Sequence, residues 1–142
     1  MEIPELKKVK DIHSHRLFES DKGLDKHLYR VSYFSYKISK FLGLNSKDSA
    51  RGGLLHDIGF TPGNWVYVGW NHPRLSAKIA RKYGENEKVI NIIESHQFPL
   101  PPNPPKCLES LIVWFFDKLD VCLDFFHLSN FIDRLVLSKL KK

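Results

Sequence analysis

Cysteine is scarce: Cys107 and Cys122 are the only two in 142 residues, too few for a disulfide framework or a zinc knuckle. Both lie in or beside an apolar helical pattern and read as reduced, buried thiols. Long apolar runs are missing as well. None approaches the roughly 20 residues needed to cross a bilayer, and the start Met1-Glu2-Ile3-Pro4-Glu5 lacks the charged-then-apolar order of a secretory leader. The expectation is a cytoplasmic protein with no membrane partner. Convincing strand alternation, internal repeats and a second hydrophobic core are also absent. That leaves an all-α architecture of about five to seven helices in a single compact domain.

A surface built to read nucleic acid is not evident either. The net charge is +6 and the isoelectric point near 9.3, but much of the excess sits in Lys7-Lys8-Val9-Lys10 and Lys139-Leu140-Lys141-Lys142. Charge alone does not choose among nucleic acid, an anionic membrane and a phosphorylated small molecule. No basic helix is interleaved with base-stacking aromatics, so nucleic acid ranks last. What is present is 42% hydrophobic and 13% aromatic residues, enough for a filled interior or pocket. One domain is expected over 1–142, with its core at 24–126, a basic N-terminal segment at 1–20 and a C-terminal helix at 129–142.

From Leu24 to Leu42 the residues His27, Val31, Phe34, Ile38 and Phe41 or Leu42 recur at helical spacing, with Gly43 just past the end. Asn45 or Ser46 is expected to cap a second helix running to Leu55. Gly52-Gly53 within it costs on the order of 1 kcal/mol per glycine relative to alanine. Close approach of another helix would explain that cost and would bring His27 near His56. Gly59 to Asn71 reads as an aromatic loop with Phe60, Trp65, Tyr67 and Trp70, a short strand at Val66–Val68 being possible. Such a loop is either a ligand lid or a packed satellite cluster. Pro73 suits the first turn of a third helix closed by Gly84, with His72 at its cap. A fourth helix follows from Asn86, bearing Val89, Ile93 and His96. The proline-rich stretch Phe98 to Pro105 reads as a stiff connector. The helix from Lys106 to Phe126 is apolar on most sides and belongs in the centre of the fold.

Against this background polar, metal-competent side chains stand where apolar ones are expected. His56-Asp57 ends an apolar helical run, His27 and His96 lie on buried stripes, and Asp117 is flanked four residues away by Val113 and Val121. Taken singly, each reads as well as a hydrogen-bonded core histidine or a helix-terminal carboxylate. Together, His27, His56, Asp57, His72, His96 and Asp117 are what one metal cluster requires, and a core-facing Asp117 needs a cation or hydrogen-bond partners. Imidazole and carboxylate suit iron, manganese, zinc, cobalt or nickel. His13, His15 and His127 have no matching partners and read as surface or structural residues.

The order His27, Leu54-Leu55-His56-Asp57-Ile58-Gly59, His72-Pro73, Ile93-Glu94-Ser95-His96 and Asp117-Lys118-Leu119-Asp120 resembles the HD-domain phosphohydrolase superfamily, HDIG type, over roughly residues 24 to 126. The resemblance implies an all-helical fold and metal-dependent hydrolysis of a phosphoester or phosphoanhydride bond in a nucleotide or other small phosphorylated compound. It implies one or two divalent ions, with His27, His56, Asp57 and Asp117 at the first, and His72 and His96 at the second with Asp57 bridging. Ser95 stands where some relatives carry another histidine, a departure that bears on the second ion. The implied nucleophile is a metal-bound hydroxide. Lys118, with Arg51 and Arg30 behind it, is a candidate phosphate contact. A non-catalytic nucleotide or effector-binding protein of the same fold is the alternative.

Overall fold

Side-chain caps and two left-handed glycines set four of the helix ends. The computed structural model describes residues 22–60, 65–126, 128 and 130–134. Its helices are α1 (Lys22–Phe41), α2 (Ser46–Leu55), α3 (Trp65–Lys82), α4 (Glu87–Ser95) and α5 (Leu108–Phe125), with a further helical stretch at 130–134. No strand occurs among the described residues, so the fold is all-α as expected. Asn45 caps α2 by accepting the Asp48 N–H at 3.2 Å, and Asn86 caps α4 by accepting the Val89 N–H at 3.0 Å. Gly43 (φ +70°) and Gly84 (φ +79°) close α1 and α3. In each case the glycine N–H bonds three residues back and the next N–H bonds five back, a turn that favours a residue without Cβ.

α2 lies at the centre, touching α1, α4 and α5, while α3 packs on α4. Its glycines lie where neighbouring helices approach closely. A Cβ on Gly53 would lie 2.8 Å from the Ser32 Cα of α1, and one on Gly52 would collide with Ile92 of α4. The main core cluster joins Leu54, Leu55 and Ile58 to Ala77 and Ala80 of α3 and to Val89, Ile90 and Ile93 of α4. A second cluster sets Val31 against Ile92 and Val113.

Several expectations need correction. α3 begins at Trp65, so the expected loop and possible strand are its first turns, and His72 lies inside the helix instead of at its cap. Aromatic and β-branched residues such as Trp65-Val66-Tyr67-Val68 have low helix propensity, which hides the helix from a pattern reading. Pro73 is likewise internal, at a cost of about 3 kcal/mol in a helix. Burial of Ala77 and Ala80 in the main cluster anchors the turns beyond it.

The stripe expected on α1 is buried only at its start. Ile38, Phe41 and Leu42 are exposed, while Ser32, Ser35 and Ser39 are fully buried. Small side chains let α1 approach α2 closely, and two of the hydroxyls find partners there, Ser32 donating to the Ala50 carbonyl and Ser39 meeting Ser49.

The largest departure is α5. It does not sit in the centre with apolar residues on all sides buried. It turns Glu109, Ser110, Val113, Asp117 and Asp120 inward and leaves Leu108, Leu111, Phe115 and Leu119 outward. Its inward carboxylates have cationic partners, and those pairings outweigh the apolar preference. The thiols are free as expected, but Cys122 is exposed and Cys107 half-buried. The basic segment 1–20, His13, His15, His127, Thr61-Pro62-Gly63-Asn64 and most of the expected final helix lie outside the described residues. No helix among the described residues is long and apolar enough to cross a membrane.

Candidate metal centre

The close approach at Gly53 sets α1 against the end of α2 and places His27 beside His56, their Nε2 atoms 3.2 Å apart. His56 is the C-cap of α2 and His96 the C-cap of α4. Each ring folds back so that its Nδ1 meets the carbonyl three residues earlier, Gly53 at 2.9 Å and Ile93 at 2.6 Å. A carbonyl only accepts, so Nδ1 carries the proton in both rings. With Nδ1 committed to the carbonyl, Nε2 of each ring points into the cluster. His27 is arranged the same way, with its Nδ1 donating to Asp120 Oδ2 at 2.7 Å.

Asp57 stands between two groups of imidazoles. Its Oδ2 lies 3.6 Å from His56 Nε2 and 4.0 Å from His27 Nε2. Its Oδ1 lies 3.1 Å from His72 Nε2 and 3.2 Å from His96 Nε2, which are themselves 2.8 Å apart. Asp117 completes the first group, Oδ1 being 3.2 Å from His27 Nε2 and 3.4 Å from His56 Nε2. All six residues singled out in the sequence thus converge, although they come from five helices or helix ends. Cis ligands about 2.1 Å from a divalent ion lie roughly 3.0 Å apart in octahedral and 3.4 Å apart in tetrahedral geometry. Most of the observed separations match this range. The buried Asp57 Oδ1 has no hydrogen-bond partner despite its two imidazole neighbours, as suits an oxygen placed to bind a cation. The donor set fits divalent metal in two groups sharing Asp57.

Electrostatics follow from the same contacts. Burial alone raises carboxyl pKa values, yet the imidazoles of His56, His72 and His96 hold Asp57 well below the usual range. His27 and His56 do the same for Asp117. Burial opposes a charge on His27, but Asp117 and Asp120 outweigh it and push the imidazole up to about 10. His96 is lowered by burial, Asp57 opposing only in part. Without metal, the proton held by His27 supplies positive charge beside Asp117 and Asp120.

Asp120 is the site residue to which the sequence assigned no role. It is buried, and besides His27 it accepts from Arg30 Nε at 2.6 Å and Nη2 at 2.8 Å. Arg30 also binds Asp133 at 2.7 Å and Asp124 at 3.0 Å. The i, i+3 spacing of Asp117 and Asp120 puts both on one helix face, and that signal was readable. Arg30 and Arg51 are not free for phosphate. Arg30 is taken up by these carboxylates, and Arg51 pairs with the buried Glu85. Lys118 remains at the edge of the cluster, its Nζ 2.7 Å from Asp117 Oδ2 and 2.8 Å from Gln97 Oε1. Of the expected lid aromatics, Phe60 meets the His72 ring edge-on at 5.8 Å and Trp70 is exposed.

Imidazoles and carboxylates brought together from five successive helices define a helical domain with a candidate metal centre. The HD domain family matches residues 24–122, and the chain belongs to that family. Among curated proteins it is similar to the Ribonuclease Y of Pseudothermotoga lettingae, 38% identical over 66% of this chain and 17% of the relative. It is 34% identical to that of Thermotoga petrophila over 78% of this chain and 21% of the relative, and 44% identical to that of Mesoplasma florum over 49% and 14%. The chain thus matches about a fifth or less of the length of these relatives. No solved structure matches it.

Proposed function

We propose that this domain hydrolyses a phosphoester or phosphoanhydride bond of a nucleotide or another small phosphorylated compound, using two divalent ions. The observation that carries the proposal is Asp57, whose two oxygens face two separate groups of Nε2 atoms. His27, His56, Asp57 and Asp117 would hold one ion, and Asp57, His72 and His96 the other. When bound, such ions supply Lewis acidity for phosphoryl oxygens and acidify water to near neutrality.

The chain's own residues contribute in three ways. Asp120, Gly53 O and Ile93 O each hold one imidazole in the tautomer that presents Nε2. Burial of His56, His96 and Asp117 keeps bulk water off the inner side of the cluster and strengthens every charge interaction there. The Lys118 ammonium, part-exposed beside Asp117, brings positive charge to the edge where a phosphoryl group would approach.

The name Ribonuclease Y carried by the relatives favours a second reading, in which the scissile bond is a phosphodiester of RNA. A panel of nucleotides, dinucleotides, simple phosphate esters and short RNA oligonucleotides, assayed with each of manganese, iron, cobalt, nickel and zinc, separates the two. Turnover that falls at least about 100-fold in Asp57→Ala supports hydrolysis at this site. Unchanged turnover in the variant would sink the proposal, and tight binding with no turnover by any metal would make the domain an effector-binding protein instead.

A further inference from the structure

The inverted orientation of α5 leaves an apolar seam on the outside of the fold. Leu108, Ile112, Phe115, Leu119, Cys122 and the C-cap residue Phe126 follow one another at alternating spacings of four and three. That is the repeat of a helix packing along another helix. The large residues at its two ends and centre are 52 to 67% exposed. Glu109, Asp117 and Asp120 turn inward, and none of the six seam positions is charged. Beside it, an apolar hollow of about 460 Å³ is lined by Ile38, Leu111, Trp114 and Phe115.

We infer that this seam is the contact surface of a symmetric dimer, in which α5 of one copy packs on α5 of a second. Its size points that way. At on the order of 200 Å² for a large apolar residue, the seam with its neighbours Leu111 and Phe125 carries roughly 800 Å² of exposed surface. The largest apolar patch on a typical monomer is about 300–600 Å², whereas one side of a standard stable interface is about 800 Å². Its chemistry favours a second copy over a partner of complementary charge. An uncharged stripe with coiled-coil spacing is self-complementary, so a two-fold axis across it lets each seam fill the other without burying an unpaired ion. The hollow beside the stripe supplies a socket for a large side chain from the opposite copy. The cluster residue Asp117 lies on the inward face of the same helix, away from the seam.

Light scattering coupled to gel filtration tests this on the full chain. Between about 5 and 200 µM the expected mass is twice 16.6 kDa. Phe115→Glu, and independently Leu119→Lys, are expected to shift the population to monomer, raising the dimer dissociation constant at least about 100-fold. Both variants should retain cobalt binding, which shows that the fold survives. A wild-type chain that stays monomeric at 200 µM would overturn the inference, whether the seam is covered by residues 135–142 of the same chain or by another protein. So would a dimer that persists in both variants.

Discussion

His27 and Asp120 form the link between the metal cluster and the rest of α5: Nδ1 donates to Oδ2 across 2.7 Å, and Arg30 grips both oxygens of the same carboxylate. A carboxylate behind a metal-binding histidine fixes the ring and raises its basicity. Asp120→Ala is expected to weaken metal binding roughly 10- to 100-fold. Asp120→Asn, which still accepts through its amide oxygen, should recover part of it. Calorimetric titration of each variant with manganese checks this, and unchanged affinity in Asp120→Ala would show that His27 needs no such support.

Ion stoichiometry follows from the position of Asp57. Wild-type protein is expected to bind two ions, His96→Ala one, and Asp57→Ala to lose both tight sites, because its oxygens serve both groups. Metal analysis after dialysis reads the number directly. One ion in the wild type would remove the second site and leave His72 and His96 as a structural pair.

Metal uptake and pH are coupled through His27. With its pKa raised from 6.5 to about 10, the metal-free imidazole carries a proton at neutral pH, which an ion must displace. Affinity should therefore rise with pH from 6 to 9, with a proton released on binding. Calorimetry in two buffers of different ionisation enthalpy detects that proton. The stability sign is the reverse. A raised pKa gives the metal-free fold a contribution fully present below 6.5 and lost as pH rises through about 10. Melting temperatures of metal-free protein should fall over that window, and a flat profile would count against a protonated His27.

Gly53→Ala tests the close approach that aligns His27 with His56. Helix propensity favours alanine by about 1 kcal/mol, but the new Cβ would lie 2.8 Å from the α1 backbone at Ser32. Overpacking of this kind costs roughly 1–3 kcal/mol, so the net expectation is a lower melting temperature accompanied by weaker metal binding. A more stable variant with intact affinity would show that α1 yields without disturbing the site.

Much of this protein was legible in its residues because the signals are local. Asn45 and Asn86 cap through their own side chains, Gly43 and Gly84 close helices through a backbone shape that disfavours a Cβ, and Gly52-Gly53 marked a contact by their cost. The six cluster residues stood out because each is polar at a helix end or on a buried helical face, and the family match at 24–122 spans all of them. The first turns of α3 were not legible, since Trp65 to Val68 carry low helix propensity and belong to a helix whose later turns are anchored by Ala77 and Ala80.

The sequence by itself determined the all-helical class, the helix ends set by caps and glycines, and the chemical types available to bind a metal. Only the tertiary structure decided which face of α5 turns inward. Periodicity reports how apolar a face is, but not whether a pairing across the fold outweighs it. Asp117 and Asp120 meet His27 and Arg30, which are 93 and 90 residues from Asp120 in the chain, and those contacts turn the carboxylates in and the apolar seam out.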